Sequence, residues 1–324
     1  VKIVIPGGTG HIGSFLTRYF AAQEHEVVVI GRSSGVRWDG RTLGPWAKEL
    51  DGADAVINLA GRSVSCRYTP ANLQEMMDSR VDSARVVGEA IAAAGTPPRV
   101  WLQMSTATIY AHTVGPAHDE EGVLGGYEPG VPAYWKYSID IATAWEAEQE
   151  LARTPETRKV ALRTAIVMSP DRGGAFDMLR RMARLGLGGP IAGGRQYMSW
   201  IHETDLARAV TFLLESELTG PVNLAAPTPL PQRDFVRSLR EAVGMPIGLP
   251  ATKWMAELGA LVLRSDTELL LKSRRVVPGR LTQAGFTFDF PEWPAAAKDL
   301  AERRSSTNRS KSRRYSSDRT TDDG

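Results

Sequence analysis

Three glycines, Gly7, Gly10 and Gly13, follow a β-branched run at residues 1–5 and open a helical pattern over residues 14–22. Glycine at these places lets the turn tighten, lets the chain approach a pyrophosphate and lets the helix pack close on the strand. The free N–H groups at the helix start then face the anion. The chemistry implied is dinucleotide binding, with His11 and Ile12 between the glycines among the contacts. A plain strand-to-helix turn would use the same glycines, so the end of the next strand carries more information. The run 26–30 ends in Gly31-Arg32-Ser33, where a site for the unphosphorylated dinucleotide places Asp or Glu on the ribose hydroxyls. Arg32, with Ser33, Ser34 and Arg37 close by, instead suits a 2′-phosphate, through charge-assisted bonds of about 1.5–3 kcal/mol each. The cofactor expected is NADP(H).

Other chemistries find little support. Five histidines are scattered and Cys66 is the single cysteine, so no metal site is expected. No Gly-x-Ser-x-Gly nucleophile elbow occurs. The polar-aromatic stretch Arg195-Gln196-Tyr197-Met198-Ser199-Trp200-Ile201-His202 suits a substrate pocket. Arg195 and His202 are candidate substrate contacts there, and Tyr197 and Trp200 candidate walls. For His202 a role that only fixes the substrate-side loop is favoured, with Thr204 or Asp205 as cap of the following helix.

The elements that must position these residues alternate. Apolar strands are expected at 55–59, 99–104 and 159–168, and helices at about 73–94 and 134–152. This rhythm predicts an α/β fold with a doubly wound parallel sheet and ligands at the carboxyl ends of the strands. Beyond residue 168 Gly/Pro-broken segments take over. The expected organisation is a dinucleotide-binding domain over 1–168, a smaller substrate-side and C-terminal region over 169–302, and a tail over 303–324. That tail carries seven basic and three acidic side chains, a charge of +4, against +2 for the whole chain. Its Ser/Thr/Arg-rich composition predicts disorder. A solvated extension is favoured over nucleic-acid contact, because no basic, aromatic-interleaved pattern precedes it. With 324 residues, 42% apolar, no secretory signal and no bilayer-length apolar run, a cytoplasmic protein with a small-molecule substrate and no membrane partner is expected.

The fingerprint at 7–13, the strand end Asn58-Leu59-Ala60-Gly61 and the segment Ser105-Thr106-Ala107-Thr108-Ile109-Tyr110 resemble the extended short-chain dehydrogenase/reductases. Further blocks narrow the resemblance to the atypical "epimerase family" group described as putative nucleoside-diphosphate-sugar epimerases. They are Ser79-Arg80-Val81, Trp145-Glu146-Ala147, the 195–202 stretch, Gly220-Pro221-Val222-Asn223, and a C-terminal module from Arg275 to Phe286. The resemblance covers about residues 1–302. It implies a Rossmann fold, NADP(H) at the fingerprint with Arg32 on the 2′-phosphate, and Asn58, Leu59, Ala60 and Gly61 along the cofactor. Thr106 then matches the Ser/Thr that orients a carbonyl, with Thr108 beside it as a substrate contact.

Two departures stand out. Reductases of this type pair the hydroxyl with a Tyr and a Lys four residues later, yet Tyr134 is followed at that distance by Ser138 and Tyr137 by Ile141. Lys136 lies between the tyrosines, off their shared helical face. Tyr137 remains a candidate acid, or a packed aromatic; Tyr110 reads as structural. Met198 stands where nucleotide-sugar epimerases place a diphosphate-gripping Arg, and Arg195 is displaced from it by three residues. The residues therefore favour an NADP(H)-dependent oxidoreductase or epimerase-like enzyme. The alternative is an NADP(H)-binding redox sensor that turns nothing over.

Overall fold

The apolar runs form a parallel sheet in the computed structural model, which describes residues 1–64, 66–252 and 268–317. The chain runs β1 (Lys2–Pro6), α1 (His11–Ala21), β2 (Glu26–Gly31), β3 (Val36–Arg37), β4 (Ala55–Asn58), α2 (Pro70–Ala93) and β5 (Val100–Thr106). It continues through α3 (Lys136–Leu151), β6 (Arg158–Thr164), β7 (Ile166–Met168), α4 (Ala175–Arg184), β8 (Tyr197–Met198), β9 (Trp200–His202) and α5 (Glu203–Glu215). Next come β10 (Gly220–Leu224), β11 (Leu230–Pro231), α6 (Gln232–Ala242), α7 (Glu268–Leu271), α8 (Gly279–Gln283) and α9 (Trp293–Ser317).

Seven strands pair in the order β10-β6-β5-β4-β1-β2-β3, every neighbour parallel. Central strands of such a sheet are covered on both sides, and side chains alternate between the two faces. Ile3 and Ile5 of β1, Ile57 of β4 and Leu102 of β5 pack with Phe15, Leu16 and Phe20 of α1 and Leu206, Val210 and Leu213 of α5. Their neighbours Val4, Val56 and Trp101 point the other way, into Val86, Val87 and Ile91 of α2 and Trp145 of α3. The doubly wound architecture expected from the βα rhythm is the one observed.

The expected strand 159–168 divides in two. Ala165 leaves the sheet, its N–H donating to the Leu224 carbonyl oxygen at 3.0 Å, and β7 then pairs with β9 instead. The main sheet draws its edge strand β10 from beyond residue 168, so the substrate-side region is built into the sheet's margin.

A third apolar cluster lies outside the sheet. Met168, Phe176, Trp200 and Phe235 pack there against Trp293, Ala296, Ala297 and Leu300 of α9. Helix α9 then runs past residue 303. Arg304 pairs with buried Asp177 at 3.1 Å, and Arg303 pairs with Asp299 at 3.3 Å and with Glu203. The start of the expected disordered tail is therefore helical and anchored, because these guanidiniums meet carboxylates on α4, α5 and α9 itself. Residues 318–324 lie outside the described residues. Among the described residues no helix is long and apolar enough to cross a membrane.

Candidate active site

The strand order reverses direction at β1, which sits between β4 and β2, and the crevice at the carboxyl ends there is where such sheets bind dinucleotides. Gly7 follows β1 with φ +78°, and a Cβ on it would meet the Ala60 nitrogen at 2.6 Å. The loop after β1 thus lies directly against the end of β4. A Cβ on Gly13 would meet the Gly8 Cα at 2.5 Å, so only glycine permits this approach of helix to loop. Gly10 caps α1 without any side-chain hydrogen bond, which leaves the helix's first N–H groups available to an anion. Ile12 anchors that end by packing into both core clusters. His11 turns its ring toward Gly174, the residue that opens α4.

Arg32 and Ser33 are both exposed just beyond β2, and no described residue engages the Arg32 guanidinium. Asn58 is wholly buried. Its Oδ1 accepts from the Ala60 N–H at 3.1 Å and its Nδ2 donates to Gln103 at 2.9 Å. It therefore shapes the turn that carries Leu59, Ala60 and Gly61 and keeps its own side chain in the core. Beside Gly61 lies the guanidinium of Arg80, 4.9 Å from the Trp145 ring. Burial brings Arg80 down to about 10.

At the end of β5, the Thr106 hydroxyl oxygen accepts from the Thr108 N–H at 3.1 Å and caps a single 3-10 turn. Its own proton remains to be donated, the requirement for orienting a carbonyl. Tyr137 is 42% exposed on the first turn of α3. Lys136 is held by Asp140 at 2.5 Å and lies over the Tyr127 ring, away from any tyrosine partnership on α3. Ser138 donates to Glu268 at 2.5 Å. The segment after α7 reaches the same place: Lys272 donates to the Thr108 carbonyl oxygen at 2.8 Å, and Arg274 donates to the Thr108 hydroxyl at 3.1 Å.

The family model described as "NAD dependent epimerase/dehydratase family" matches residues 3–225. The chain belongs to this family. A second model, "Domain of unknown function (DUF1731)", matches residues 251–300. The epimerase family protein SDR39U1 of Bos taurus is 33% identical over 310 residues, covering 93% of this chain and 99% of its own. The epimerase family protein Mb2239 of Mycobacterium bovis is 32% identical over 295 residues, covering 88% and 93%. Among solved structures, that of human SDR39U1 (isoform 2) with NADPH is 31% identical, with a TM-score of 0.81, covering 93% of this chain and 99% of that one.

Two expected substrate contacts lie elsewhere in this family member. Trp200 is 0% exposed and packs edge-on against Trp293 at 5.0 Å, so its side chain belongs to the third core. His202 is also 0% exposed. Its Nδ1 accepts from the Thr204 N–H at 3.1 Å, making His202 itself the cap of α5 in place of Thr204 or Asp205. That bond fixes the proton on Nε2, which donates to Asp299 at 3.1 Å. Burial holds the ring neutral, at about 4, against the pull of Asp299. The structural reading of His202 is the one observed.

Tyr197 is half-buried beneath Arg275, 4.2 Å from ring to guanidinium, and its backbone pairs with Ser273 and Arg274. Arg195 is exposed. Tyr110 is structural, as expected: its hydroxyl donates to Asn223 at 2.8 Å and accepts from Arg163 at 3.0 Å. Arg163 in turn pairs with Glu146 at 2.8 Å, and Glu146 accepts from Ser105 at 2.5 Å. The blocks at 145–147 and 220–223 thus brace the strand ends that carry Thr106. Sequence reasoning missed Glu268, Lys272 and Arg274. The Glu-to-Lys spacing of four was visible, but nothing local shows that this segment docks at the end of β5.

Proposed function

We propose that this chain is an NADP(H)-dependent oxidoreductase or epimerase-like enzyme of the atypical extended short-chain dehydrogenase/reductase type, acting on a small organic substrate. The observation that carries this reading is the placement of Thr106. Its hydroxyl keeps a proton to donate, at the carboxyl end of a strand beside the dinucleotide crevice. The cradle at Gly7 and Gly13, the uncapped start of α1 and the exposed Arg32 fit the pyrophosphate and 2′-phosphate of NADP(H), and human SDR39U1 has been crystallised with NADPH. When bound, the nicotinamide supplies hydride transfer. Thr106 would hold the substrate oxygen and Tyr137 would exchange its proton; such a positioned acid or base is worth about 10²–10⁴ in rate. Thr108, Arg195 and Tyr197 are proposed for the substrate side. A single half-buried cysteine, Cys66, accords with a reducing, cytoplasmic setting.

The test is NADPH oxidation at saturating cofactor across a panel of aldehydes, ketones, enones and imines. Turnover of any member supports the enzyme. Binding of NADPH with no turnover favours the second reading, a redox sensor, for which Ser138 standing where a lysine would activate a tyrosine is the specific observation.

A further inference from the structure

No lysine stands four residues after Tyr134 or Tyr137, and Lys136 is held by Asp140, yet an ammonium group reaches Ser138 through Glu268 from far along the chain. The Ser138 hydroxyl donates to Glu268 Oε2 at 2.5 Å, Glu268 Oε1 lies 3.5 Å from Lys272 Nζ, and Lys272 Nζ donates to the Thr108 carbonyl oxygen at 2.8 Å. Glu268 and Lys272 are 1% and 3% exposed. Three side chains therefore link α3 to the turn that presents Thr106, and two of them come from the stretch matched by the domain of unknown function.

The docking is not a single contact. The Ser273 N–H donates to His112 Nδ1 at 3.0 Å and its hydroxyl to the Thr113 carbonyl, while the Arg274 N–H donates to the Tyr197 carbonyl at 2.9 Å. The segment is clamped between the loop after β5 and β8, so Lys272 cannot easily withdraw. Burying an ammonium costs free energy that one ion pair as long as 3.5 Å does not recover. Burial pushes Lys272 down to about 8, against the pull of Glu268 and, more weakly, Glu128, and with the push of Arg274. His112, which also faces it, is itself lowered by burial. A perturbed lysine held at a strand end beside a dinucleotide crevice has the signature of a working group.

We propose that Lys272, delivered by the C-terminal module, is the positioning cation of the substrate site: acting through the Thr108 carbonyl and the Glu268–Ser138 pair, it takes the place of the lysine missing four residues after Tyr134 and Tyr137. It fixes the turn that aims Thr106, and it sets a positive potential behind the oxygen that Thr106 would hold. The module's task is then completion of the site. This rests on the enzyme reading above, but its test does not need turnover.

The full-length chain, labelled with ¹³C-lysine, is titrated from about pH 6 to 11 alone, with saturating NADPH and with saturating NADP⁺. Eight lysines keep the spectrum tractable, and loss of one signal in Lys272→Arg assigns it. The oxidised nicotinamide carries a positive charge that the reduced ring lacks. A lysine facing that ring therefore titrates lower with NADP⁺ than with NADPH, by about half a pH unit or more. Glu268→Gln lowers its midpoint further. A Lys272 midpoint that ignores the redox state of the bound cofactor overturns the inference, whatever the panel shows. A panel without turnover sinks the enzyme reading alone, and failure of NADP(H) to bind sinks both. With a turned-over substrate, Lys272→Met lowers kcat at least about tenfold and removes the alkaline limb, with KM for NADPH unchanged; an unaltered kcat and pH profile would also overturn it.

Discussion

Arg32→Ala tests the cofactor assignment at its most discriminating atom. The guanidinium stands exposed at the end of β2, where no described residue engages it, so its removal leaves no buried group unsatisfied and the fold should be unaffected. The loss is confined to whatever the guanidinium binds. A charge-assisted bond to a dianionic 2′-phosphate is worth about 1.5–3 kcal/mol, which predicts a rise of about 10- to 150-fold in the NADPH Kd. NADH has no phosphate at that hydroxyl, so its Kd should change less than about twofold. Because the contact is open to solvent, the wild-type preference for NADPH should also shrink as salt is raised, and that salt dependence should weaken in the variant. Quenching or enhancement of nicotinamide fluorescence on titration measures all four affinities. Equal losses for NADPH and NADH would refute the reasoning, since the arginine would then be supporting the loop and reading no phosphate. An unchanged NADPH affinity would refute it as well.

Thr106→Ala should leave NADPH affinity within about twofold while lowering any turnover by about 10²-fold or more, because the lost hydroxyl acts on substrate; unchanged turnover removes Thr106 from the mechanism. His202 predicts a pH effect on stability. Its folded value of about 4 lies below the ordinary 6.5, so the unfolded chain binds the extra proton first, and stability is lost as pH falls from 6.5 toward 4. The loss is on the order of 3 kcal/mol, readable by urea denaturation at pH 7 and pH 4.5. His202→Leu should flatten that part of the slope, and an identical slope would show that other groups govern it.

The sheet was legible because its signals are local. Ile3-Val4-Ile5, Val56-Ile57 and Val100-Trp101-Leu102 are apolar runs buried on both faces, and the glycines of the first loop, at 7, 10 and 13, stand within seven residues. The position of Thr106 at a strand end was legible from the apolar run that precedes it. What escaped depends on contacts between segments far apart in the chain. Trp200 and His202 sit in a polar-aromatic stretch that reads as a pocket, yet Trp293, Phe290 and Asp299, about ninety residues on, turn both side chains inward. Lys272 is the converse case. Nothing in its immediate sequence marks it, and only the pairing with Thr108, 164 positions earlier, gives it a role. The division of strand 159–168 is similar, since β7 departs from the sheet only because β9 offers it a partner.

The end of the chain turns the same argument into a measurement. A composition rich in Ser, Arg and Thr predicts no ordered structure after residue 302, and by composition alone truncation there should be silent. In the fold, however, Arg304 is buried against Asp177, whose carboxylate is lowered against its burial penalty by the Gly173 N–H and by Arg304 and Arg181. Arg303 holds Asp299, the same carboxylate that accepts from His202 at the head of α5. Removing residues 303–324 takes away both guanidiniums; removing residues 306–324 keeps them. Asp177 retains Arg180 and Arg181, so the first truncation should cost about 1–3 kcal/mol, not the 3–5 of a fully orphaned buried charge. The second, which keeps both ion pairs, should cost less than about 0.5 kcal/mol. Guanidinium chloride midpoints of the two shortened chains decide the matter. Equal midpoints would mean that the ion pairs contribute nothing and that the boundary at 303 is the true edge of the fold. A gap between them would place that edge beyond residue 304, after the two guanidiniums that meet Asp177, Asp299 and Glu203.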